Sequence, residues 1–423
     1  MLLPISVLAE GTEAARQYCS GTLPIMFINT EGPVTTKEYY INATCYIDAL
    51  GQEGYESLGT AEAPLPLAIK GHGNHTWREY DKKPYRLKFN DKVNPLGMGK
   101  NRHFTLLPHV DDDLAYLRNT VGFELSRLIG MAYTPAQEPV EVVFNGDYVG
   151  LYMLTDKIRL GKNRVEITQQ EDLATDPEEI TGGWLLEIDN YEYDDQIYVP
   201  DPVADQNSVN MTIHDPEVLS REQRSYITDF IEKTDAAIRS KNRTNKVWER
   251  YIDMDTLARY YIVREIVDDA ESFRGSCYIH KDRKTGDEET KLIFGPVWDF
   301  GNAFQRWAIY GDVSFTHFIY EQPTDFANHW IEEIAKYPHF QRVVMKHWRN
   351  FYRNGFNGLN IDGFINEFVE SIKPAFYAEV VRWPQYDINI QRTDFRLFIH
   401  RKIDWLNKKW GLDYNSEPLE STQ

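Results

Sequence analysis

Three carboxylates and a Trp-Asp-Phe-Gly tetrapeptide lie close together in the sequence, within the segment 265–304. Asp268, Asp269 and Glu271 follow an apolar helical pattern, and a short apolar strand further along leads directly into Asp299. Phosphoryl transfer requires such a set, because an acidic group orients the acceptor hydroxyl and a second carboxylate holds magnesium. The order of these parts predicts that Glu271, with Asp268 and Asp269 beside it, is catalytic and that Asp299 binds a metal ion.

The same residues also have a structural interpretation. Asp299 would suit a turn at the end of a strand, and Glu271 would be an acid at the carboxyl end of a helix. A helix dipole disfavours negative charge at that end. The position of Glu271 next to Asp268 and Asp269 therefore favours a cation at this loop.

A glycine-containing turn between two strand patterns is the second candidate site. Gly71 and Gly73 would let the backbone approach a phosphate closely, with Asn74 in the same turn. Strand alternation places Arg86 and Lys88 on one face of the following strand. We expect Lys88 to reach the phosphate oxygens, although a solvated strand face explains the same pattern.

The spacing of apolar residues predicts a helix within 109–130. Arg118 and Asn119 lie inside its apolar pattern, and an arginine in such a position usually needs a carboxylate partner. Glu124 lies on the same helix. We expect Arg118 or Glu124 to hold the Lys88 side of a nucleotide site, and a surface position is the alternative for Glu124.

The segment 140–157 reads as a β-hairpin, because Asn145-Gly146 is a strong signal for a tight turn between two strands. Thr155 and Asp156 lie at the end of its second strand. Their backbone groups would hydrogen-bond an adenine, and an ordinary strand end is the alternative.

Composition and charge restrict the class of protein. The formal charge of −19 disfavours binding to nucleic acid or to an anionic membrane surface. No apolar run approaches the ~20 residues that span a bilayer, and the first residues lack the positive region of a signal peptide. Cys19, Cys45 and Cys277 have no metal-binding spacing. A Cys19–Cys45 disulfide in an exported protein and free thiols remain alternatives.

The chain divides by pattern into four regions, which together predict an α+β protein. Residues 23–63 read as an N-terminal β-rich accessory region, and 64–189 as a strand-rich nucleotide-binding lobe with one helix. Residues 190–217 read as a connector or insertion. Residues 218–410 read as a helical lobe that carries the acidic loop and the Asp-Phe-Gly motif. Helical patterns in this lobe cover 234–268, 324–353, 361–383 and 393–410.

Several longer motifs follow one another along the chain: GHGNHTW with KKPYRLKF, LRN at Leu117–Asn119, FNGDYVGLYMLTDKI at Phe144–Ile158, KNRVEI at Lys162–Ile167, GGWLLEID at Gly182–Asp189 and GPVWDF at Gly295–Phe300. In this order they resemble the spore-coat CotH kinase family, over roughly Leu23 to Trp410. The resemblance implies a divergent, two-lobed protein-kinase-like fold with ATP and Mg²⁺ as cofactors. It also implies phosphoryl transfer to serine or threonine hydroxyls of a protein acceptor, by an exported bacterial protein whose signal peptide is not present in this chain.

The chain departs from the family pattern at several positions. His72 stands where the family usually has arginine, and Glu271 where it usually has aspartate. The position of a metal-binding asparagine falls on Ser276 or Cys277, and we take Ser276 as the second metal ligand. Gly301 replaces the second acid of the common Trp-Asp-Phe-Asp motif, so Mn²⁺ would be an alternative to Mg²⁺. Glutamate at 271 is longer than aspartate by one methylene, so activity would be slow.

Three other functions fit the same residues. The first is a pseudokinase that keeps the nucleotide-binding fold without transfer chemistry, which the changes at Glu271 and Gly301 favour. The second is a kinase-fold AMP transferase, which an altered glycine turn would permit. The third is a surface protein that binds glycans through aromatic grooves. For the kinase, net negative charge favours a basic or serine-rich acceptor.

Overall fold

The computed structural model describes residues 14–110, 115–189, 196–200, 209–269, 271–304, 316–321, 329–354, 358–386 and 392–411. The chain forms two compact units. Unit 1 comprises Met1–Leu117, Pro135–Lys157 and Gly363–Gln391, and unit 2 comprises Arg118–Thr134, Ile158–Asp362 and Arg392–Gln423. Helices and strands are both present, so the predicted α+β class is confirmed.

Unit 1 contains a closed β-barrel, with strand order β1-β2-β3-β4-β5-β7-β6. Neighbouring strands are antiparallel except for β1 and β6, which pair in parallel and close the barrel. The strands are β1 (Ile25–Thr30), β2 (Ile41–Asp48), β3 (Leu65–Gly71), β4 (Tyr85–Val93), β5 (Asn101–Leu107), β6 (Gln137–Phe144) and β7 (Asp147–Asp156).

The described residues also form α-helices in both units. They are α1 (His75–Glu79), α2 (Ala115–Leu128), α3 (Arg221–Ile238), α4 (Met254–Val267), α5 (His329–Ala335), α6 (Pro338–Asn354), α7 (Gly358–Arg382) and α8 (Arg392–Lys409). None of the helices in this part of the chain combines the length and apolar character that crossing a membrane would require.

The barrel interior is filled by alternate strand residues. Leu87 and Phe89 of β4 are buried in this core, whereas Lys88 between them is exposed. This is the alternation that the sequence predicts for a strand with one buried face. The Asn145-Gly146 hairpin is confirmed, since both residues have positive φ, 52° and 81°, as a tight hairpin turn requires.

The N-terminal strands do not form a separate layer. β1 and β2 lie within 23–63, yet β1 pairs with β6 and β2 pairs with β3 in the same barrel. The structure therefore confirms a β-rich N-terminal region but joins it to strands that we placed in the nucleotide-binding lobe. Local alternation predicts strands, whereas the pairing of β1 with β6 depends on residues more than a hundred positions away.

Helix α7 packs against the barrel in unit 1. Lys82 and Glu379 are both fully buried, and their side chains form an ion pair of 2.5 Å. The Lys82 ammonium also donates to the Pro108 carbonyl at 3.1 Å, and Glu379 accepts from the Leu151 N–H at 2.8 Å. Gly150 has φ of 101°, and a Cβ there would overlap the Glu379 carboxylate. Glycine at this position therefore lets the helix approach the barrel.

Unit 2 contains a five-stranded antiparallel sheet with the order β12-β11-β8-β10-β9. Its strands are β8 (Trp184–Ile188), β9 (Gln196–Val199), β10 (Val209–Asp215), β11 (Cys277–Lys281) and β12 (Ile293–Phe294). β9 and β10 lie in 190–217, which we predicted to be a connector without periodicity. The described part of this segment supplies two strands of the sheet instead.

The helical patterns of unit 2 are placed correctly but two of them are divided. The pattern over 234–268 falls on the end of α3 and on α4, which begins after Asp253, whose side chain accepts from the Thr256 N–H at 2.8 Å. The pattern over 324–353 falls on α5 and α6, and α6 begins at Pro338. Proline suits the first position of a helix because it has no N–H to leave unpaired. Residues 324–328 lie outside the described residues, as do the aspartates at 111–113.

Candidate functional site

The acidic loop begins at the end of α4, where Asp268 adopts a left-handed conformation with φ of 49°. Its buried carboxylate lies 3.2 Å from the Lys402 ammonium and 3.3 Å from His317 Nε2. Lys402 also lies 3.3 Å from the buried carboxylate of Glu265. Burial alone would raise the pKa of Asp268, but the charge of Lys402 and the His317 hydrogen bond outweigh it and lower that pKa. A lysine of the chain itself is therefore the cation beside Asp268.

Asp269 is the anchor of the loop. Its carboxylate forms a buried ion pair of 2.5 Å with Arg264 and accepts the Glu271 N–H at 3.1 Å. Arg264 also donates to the carbonyls of Trp298, at 2.7 Å, and Asp299, at 3.1 Å. One guanidinium thus holds the acidic loop against the Trp-Asp-Phe-Gly turn. Burial raises the pKa of Asp269, and the charge of Arg264 opposes that shift.

Glu271 and Asp299 are both attached to the turn that begins at Asp299. The Asp299 side chain is exposed, and one of its oxygens accepts the Gly301 N–H at 3.0 Å. Glu271 is partly buried and accepts a hydrogen bond from the amide of Asn302. The carboxylates of Asp299 and Glu271 therefore both accept hydrogen bonds from residues that directly follow Asp299. Ser276, at the end of the loop, has φ of 52°.

Helix α2 supports the same turn through its residues in unit 2. Asn119 accepts the Phe300 N–H at 2.8 Å, and Arg118 donates to the Ala303 carbonyl. Gly122 faces the Phe300 ring so closely that a Cβ there would overlap the ring. Phe123 packs edge-on against it with ring centroids 6.0 Å apart. The backbone and the aromatic ring of the turn are both fixed by this helix.

The candidate residues of unit 2 thus fall into two groups. Glu271 and Asp299 share a turn, whereas Asp268 and Asp269 are held in buried ion pairs. The Arg118 guanidinium donates to a backbone carbonyl, and the carboxylate partner that the sequence led us to expect stays a prediction. Glu124 forms an ion pair of 2.8 Å with Arg127 on its own helix. The catalytic and metal-binding roles of these residues stay predictions.

Asn302 and Lys402 were missed by the sequence analysis. Asn302 lies three residues after Asp299, so an amide next to a metal-binding motif was the available signal. Lys402 gave no such signal, because it lies on α8, 134 positions from Asp268. Only the folded chain brings this lysine to the acidic loop.

A group of positive side chains surrounds the glycine turn of unit 1. Burial lowers the pKa of His72 well below 6.5, and so do the charges of Lys157, Arg86, Lys37 and Lys70, in that order. The charges of these side chains add to the effect of burial, so positive charge is concentrated near His72. The Lys37 ammonium donates to Asn74 at 2.5 Å. We call these five residues, Lys37, Lys70, His72, Arg86 and Lys157, the basic cluster.

Arg86 gives the basic cluster an unused donor. Its Nε is buried and has no hydrogen-bond partner among the residues that the structure describes. Burial lowers the pKa of Lys70, and the charge of Arg86 lowers it further. Such an arrangement favours an anion, because a negative group would relieve the repulsion and satisfy the donor.

The other predicted nucleotide-binding residues lie at several places on the barrel. Gly71 packs under Trp77, whose ring a Cβ at this position would approach to 2.7 Å, and Gly73 has φ of 69°. Lys88 is exposed, 6.0 Å from the centre of the Tyr40 ring. The turn therefore requires glycine for packing and for backbone conformation, apart from any ligand.

Thr155 and Asp156 are fully buried in β7, between β5 and β6. The Asp156 N–H donates to the Ala136 carbonyl at 2.8 Å, and the Thr155 carbonyl accepts the Thr105 hydroxyl at 3.3 Å. These backbone groups are already used within the barrel, so the predicted adenine contact finds no support in their hydrogen bonding.

Comparison with models of known families shows which family the chain belongs to. The model of the family described as CotH kinase protein matches residues 69–409, most of the chain. The chain belongs to this family. No curated protein sequence matches it. Family membership suggests a kinase-like function. The matched residues include the acidic loop, the Trp-Asp-Phe-Gly turn and the glycine turn.

All three cysteines of the chain are free. Cys45 and Cys277 are buried, and burial raises the pKa of Cys277 to about 12. A thiol protonated to that extent is a poor nucleophile and a poor metal ligand. The Cys19–Cys45 disulfide, which the sequence left open, is not formed.

Proposed function

We propose that this CotH kinase protein transfers the γ-phosphoryl group of ATP to serine or threonine hydroxyls of a protein acceptor in a magnesium-dependent reaction. The observation that supports this most is the Arg264 contact set, which fixes the acidic loop to the Trp-Asp-Phe-Gly turn. Glu271 and Asp299 are thereby held on one turn, with the Asp299 side chain exposed. Phosphoryl transfer depends mainly on such positioning and on charge neutralisation.

The side chains at this turn fit a hard divalent cation. Mg²⁺ prefers oxygen ligands and is usually bound through one or two carboxylates together with phosphate oxygens and water. Asp299 would supply a carboxylate, Ser276 a hydroxyl and Asn302 an amide oxygen. Bound Mg²⁺ would neutralise charge on the phosphates, and Mn²⁺ would accept the same ligands.

Glu271 would orient the acceptor hydroxyl. Its hydrogen bond from Asn302 fixes the carboxylate on the turn. Glutamate in place of aspartate is longer by one methylene, and a misplacement of ~1 Å can reduce the rate by ~10²-fold. We therefore expect a slow enzyme.

The basic cluster of unit 1 would bind phosphate oxygens. It combines a buried, unpartnered Arg86 Nε with Lys70, whose pKa is already depressed by burial and by neighbouring positive charge. Gly73 and Asn74 lie in the same turn, and Lys88 remains a further candidate. A phosphate would restore the pKa of Lys70 towards its ordinary value.

Net charge supports a proposal for the acceptor, and the family resemblance supports one for the compartment. A chain with formal charge −19 attracts basic segments, so we expect a basic or serine-rich protein acceptor. We further propose an exported protein, periplasmic or on the cell surface.

A pseudokinase is the second candidate function, and two contacts favour it. Lys402 already supplies a cation beside Asp268, and Asn302 already occupies one oxygen of Glu271. A chain of this kind would bind ATP and Mg²⁺ without transfer. An AMP transferase would instead transfer label from α-labelled ATP to protein, whereas a kinase would transfer label only from γ-labelled ATP.

Thermal unfolding with and without ATP and Mg²⁺ tests the binding step. A ligand that binds only the folded state raises the melting temperature by mass action. We expect millimolar ATP with Mg²⁺ to raise it for the intact chain and Asp299→Ala to lose the magnesium-dependent part. Asp287→Ala, an exposed acid outside the site, is the matched control. An unchanged melting curve for the intact chain would contradict nucleotide binding.

A further inference from the structure

An imidazole–carboxylate pair lies on the sheet of unit 2 and includes none of the residues of the acidic loop or the Trp-Asp-Phe-Gly turn. His214 Nε2 lies 2.5 Å from Glu187 Oε2. His214 occupies an irregularity in β10, where the register with β8 shifts, and its ring stacks on Tyr278 with centroids 5.4 Å apart. The Glu187 side chain is 9% exposed and the His214 side chain is 30% exposed. The carboxylate is therefore buried behind an imidazole that reaches solvent.

The other imidazole–carboxylate pairs of the described residues differ from this one. In His317–Asp268 the imidazole is only 19% exposed, and in His400–Asp362 the carboxylate is 25% exposed. In His347–Asp255 the carboxylate is more exposed than the imidazole, and in His339–Glu249 the imidazole itself is nearly buried.

The contact with Glu187 determines where the proton of the neutral ring lies. A carboxylate only accepts hydrogen bonds, so His214 Nε2 carries the hydrogen and Nδ1 carries the lone pair. Nδ1 is not among the buried polar atoms that lack a partner, and no described residue hydrogen-bonds it. It therefore faces solvent. A buried carboxylate that fixes the tautomer and the orientation of an imidazole is the arrangement of a proton-accepting dyad.

We propose that Glu187 and His214 form a proton-accepting site for the hydroxyl of the protein acceptor. Tyr278, which pairs with Glu187 in the sheet, is the second residue of β11, the strand that follows the acidic loop. The dyad thus lies beside the strand that begins where the acidic loop ends. Nδ1 can accept the proton of a neutral hydroxyl, because it carries a lone pair.

This role rests on the proposed function. The step is transfer of the γ-phosphoryl group to the acceptor oxygen with loss of the hydroxyl proton. The acceptor oxygen forms a bond to the γ-phosphorus as the bond from that phosphorus to the bridging oxygen of ATP breaks. ADP leaves with the electron pair of that bond. The hydroxyl proton passes to His214 Nδ1, and the imidazolium then returns it to water. Glu271 orients the same hydroxyl.

Carbethoxylation by diethyl pyrocarbonate, mapped by mass spectrometry, tests the state of the imidazole without ATP. His400 is the internal control, because its side chain is 40% exposed and exposure alone would make it the faster of the two. We expect His214 to react faster than His400 at a pH where both rings are neutral. Glu187→Gln should slow His214 alone by about tenfold, the equivalent of one hydrogen bond to a charged group. Equal or slower reaction of His214, or no effect of Glu187→Gln, would overturn the dyad.

Transfer kinetics test the role at the hydroxyl. His214→Gln should lower the rate of phosphoryl transfer to a basic serine-rich peptide by about 10²-fold, the usual contribution of a general base. Stabilisation by ATP should be retained, and His400→Gln should transfer like the intact chain. Equal transfer by His214→Gln would overturn the proposal while the kinase function stands. If the intact chain transfers nothing, the kinase function fails and the role at the hydroxyl fails with it, whereas fast carbethoxylation would still establish the activated imidazole. Unfolding curves of both variants check that they fold.

Discussion

Arg264 and Asp269 form a fully buried ion pair of 2.5 Å that joins α4 to the acidic loop. The same guanidinium donates to the Trp298 and Asp299 carbonyls, so one side chain determines the relative position of the loop and the turn. Its plane lies over the Phe300 ring at 4.4 Å. The position of the proposed metal-binding carboxylate therefore depends on an arginine that is itself buried.

Replacement of Arg264 should be strongly destabilising. Arg264→Leu leaves the Asp269 charge buried without its partner, which typically costs about 3–5 kcal/mol of unfolding free energy. Urea denaturation measures the change. Arg259→Leu, on the same helix, removes a hydrogen bond to the Gly130 carbonyl at a more exposed position and should cost about 1 kcal/mol or less. If Arg264→Leu is no more destabilising than this control, the ion pair does not hold the loop.

Gly122 should not tolerate a methyl group. A Cβ at this position would overlap the Phe300 ring, and overpacking of this kind costs about 1–3 kcal/mol. Gly363→Ala is the matched control, because its Cβ would meet no atom within 4 Å and alanine favours a helix. We expect opposite signs of the change in melting temperature for the two variants. Equal behaviour would show that Phe300 moves aside without cost.

Lys82 should be essential to unit 1, whereas its neighbour Lys83 should not. Lys82→Met leaves Glu379 buried and unpaired, with an expected cost of about 3–5 kcal/mol. Lys83 donates to the Trp77 carbonyl at 2.7 Å and is less buried, so Lys83→Met should cost about 1 kcal/mol. Chemical denaturation of both variants checks this. A smaller loss for Lys82→Met would contradict a structural role for the buried pair.

The contact between His317 and Asp268 should stabilise the fold in a pH-dependent way. The hydrogen bond that His317 donates to Asp268 raises the pKa of His317 above 6.5, and the pKa of Asp268 is lowered below 3.8. The contribution of His317 is fully present below pH 6.5 and is lost as the pH rises through its raised pKa. That of Asp268 is present above pH 3.8 and is lost as the pH falls through its lowered pKa. The stability difference between the intact chain and His317→Gln should therefore shrink from pH 6 to pH 8. A constant difference would contradict the charged pair.

Local patterns were sufficient for much of the fold. Alternation in β4 and the Asn145-Gly146 turn predicted the strands and the hairpin, because both depend on neighbouring residues. The segment 190–217 was predicted to be a connector or insertion without periodicity, whereas its described part forms β9 and β10. β10 alternates apolar Val209, Met211 and Ile213 with polar residues, so a strand signal was present and the sequence analysis did not use it.

The candidate site could be predicted only in part. Asp299 and Glu271 could be named as candidates because both lie in one short segment of the sequence, and in the structure Glu271 is hydrogen-bonded to Asn302, three residues after Asp299. Their roles stay predictions. The partners of Asp268 and Glu379, Lys402 and Lys82, lie 134 and 297 positions away. Which lysine neutralises which buried acid depends on tertiary packing, and no local pattern records it.

The most direct test of the proposed function is transfer of γ-labelled phosphate from ATP with Mg²⁺ or Mn²⁺ to a basic serine-rich peptide. The intact chain should label the peptide, and Asp299→Asn and Glu271→Gln should each reduce the rate by about 10²-fold or more. Asp287→Asn is the control and should match the intact chain. If the intact chain transfers phosphate and both site variants match it, these two residues do not have the proposed roles. If the intact chain binds ATP and never transfers it, the protein is a pseudokinase and the proposed activity is wrong.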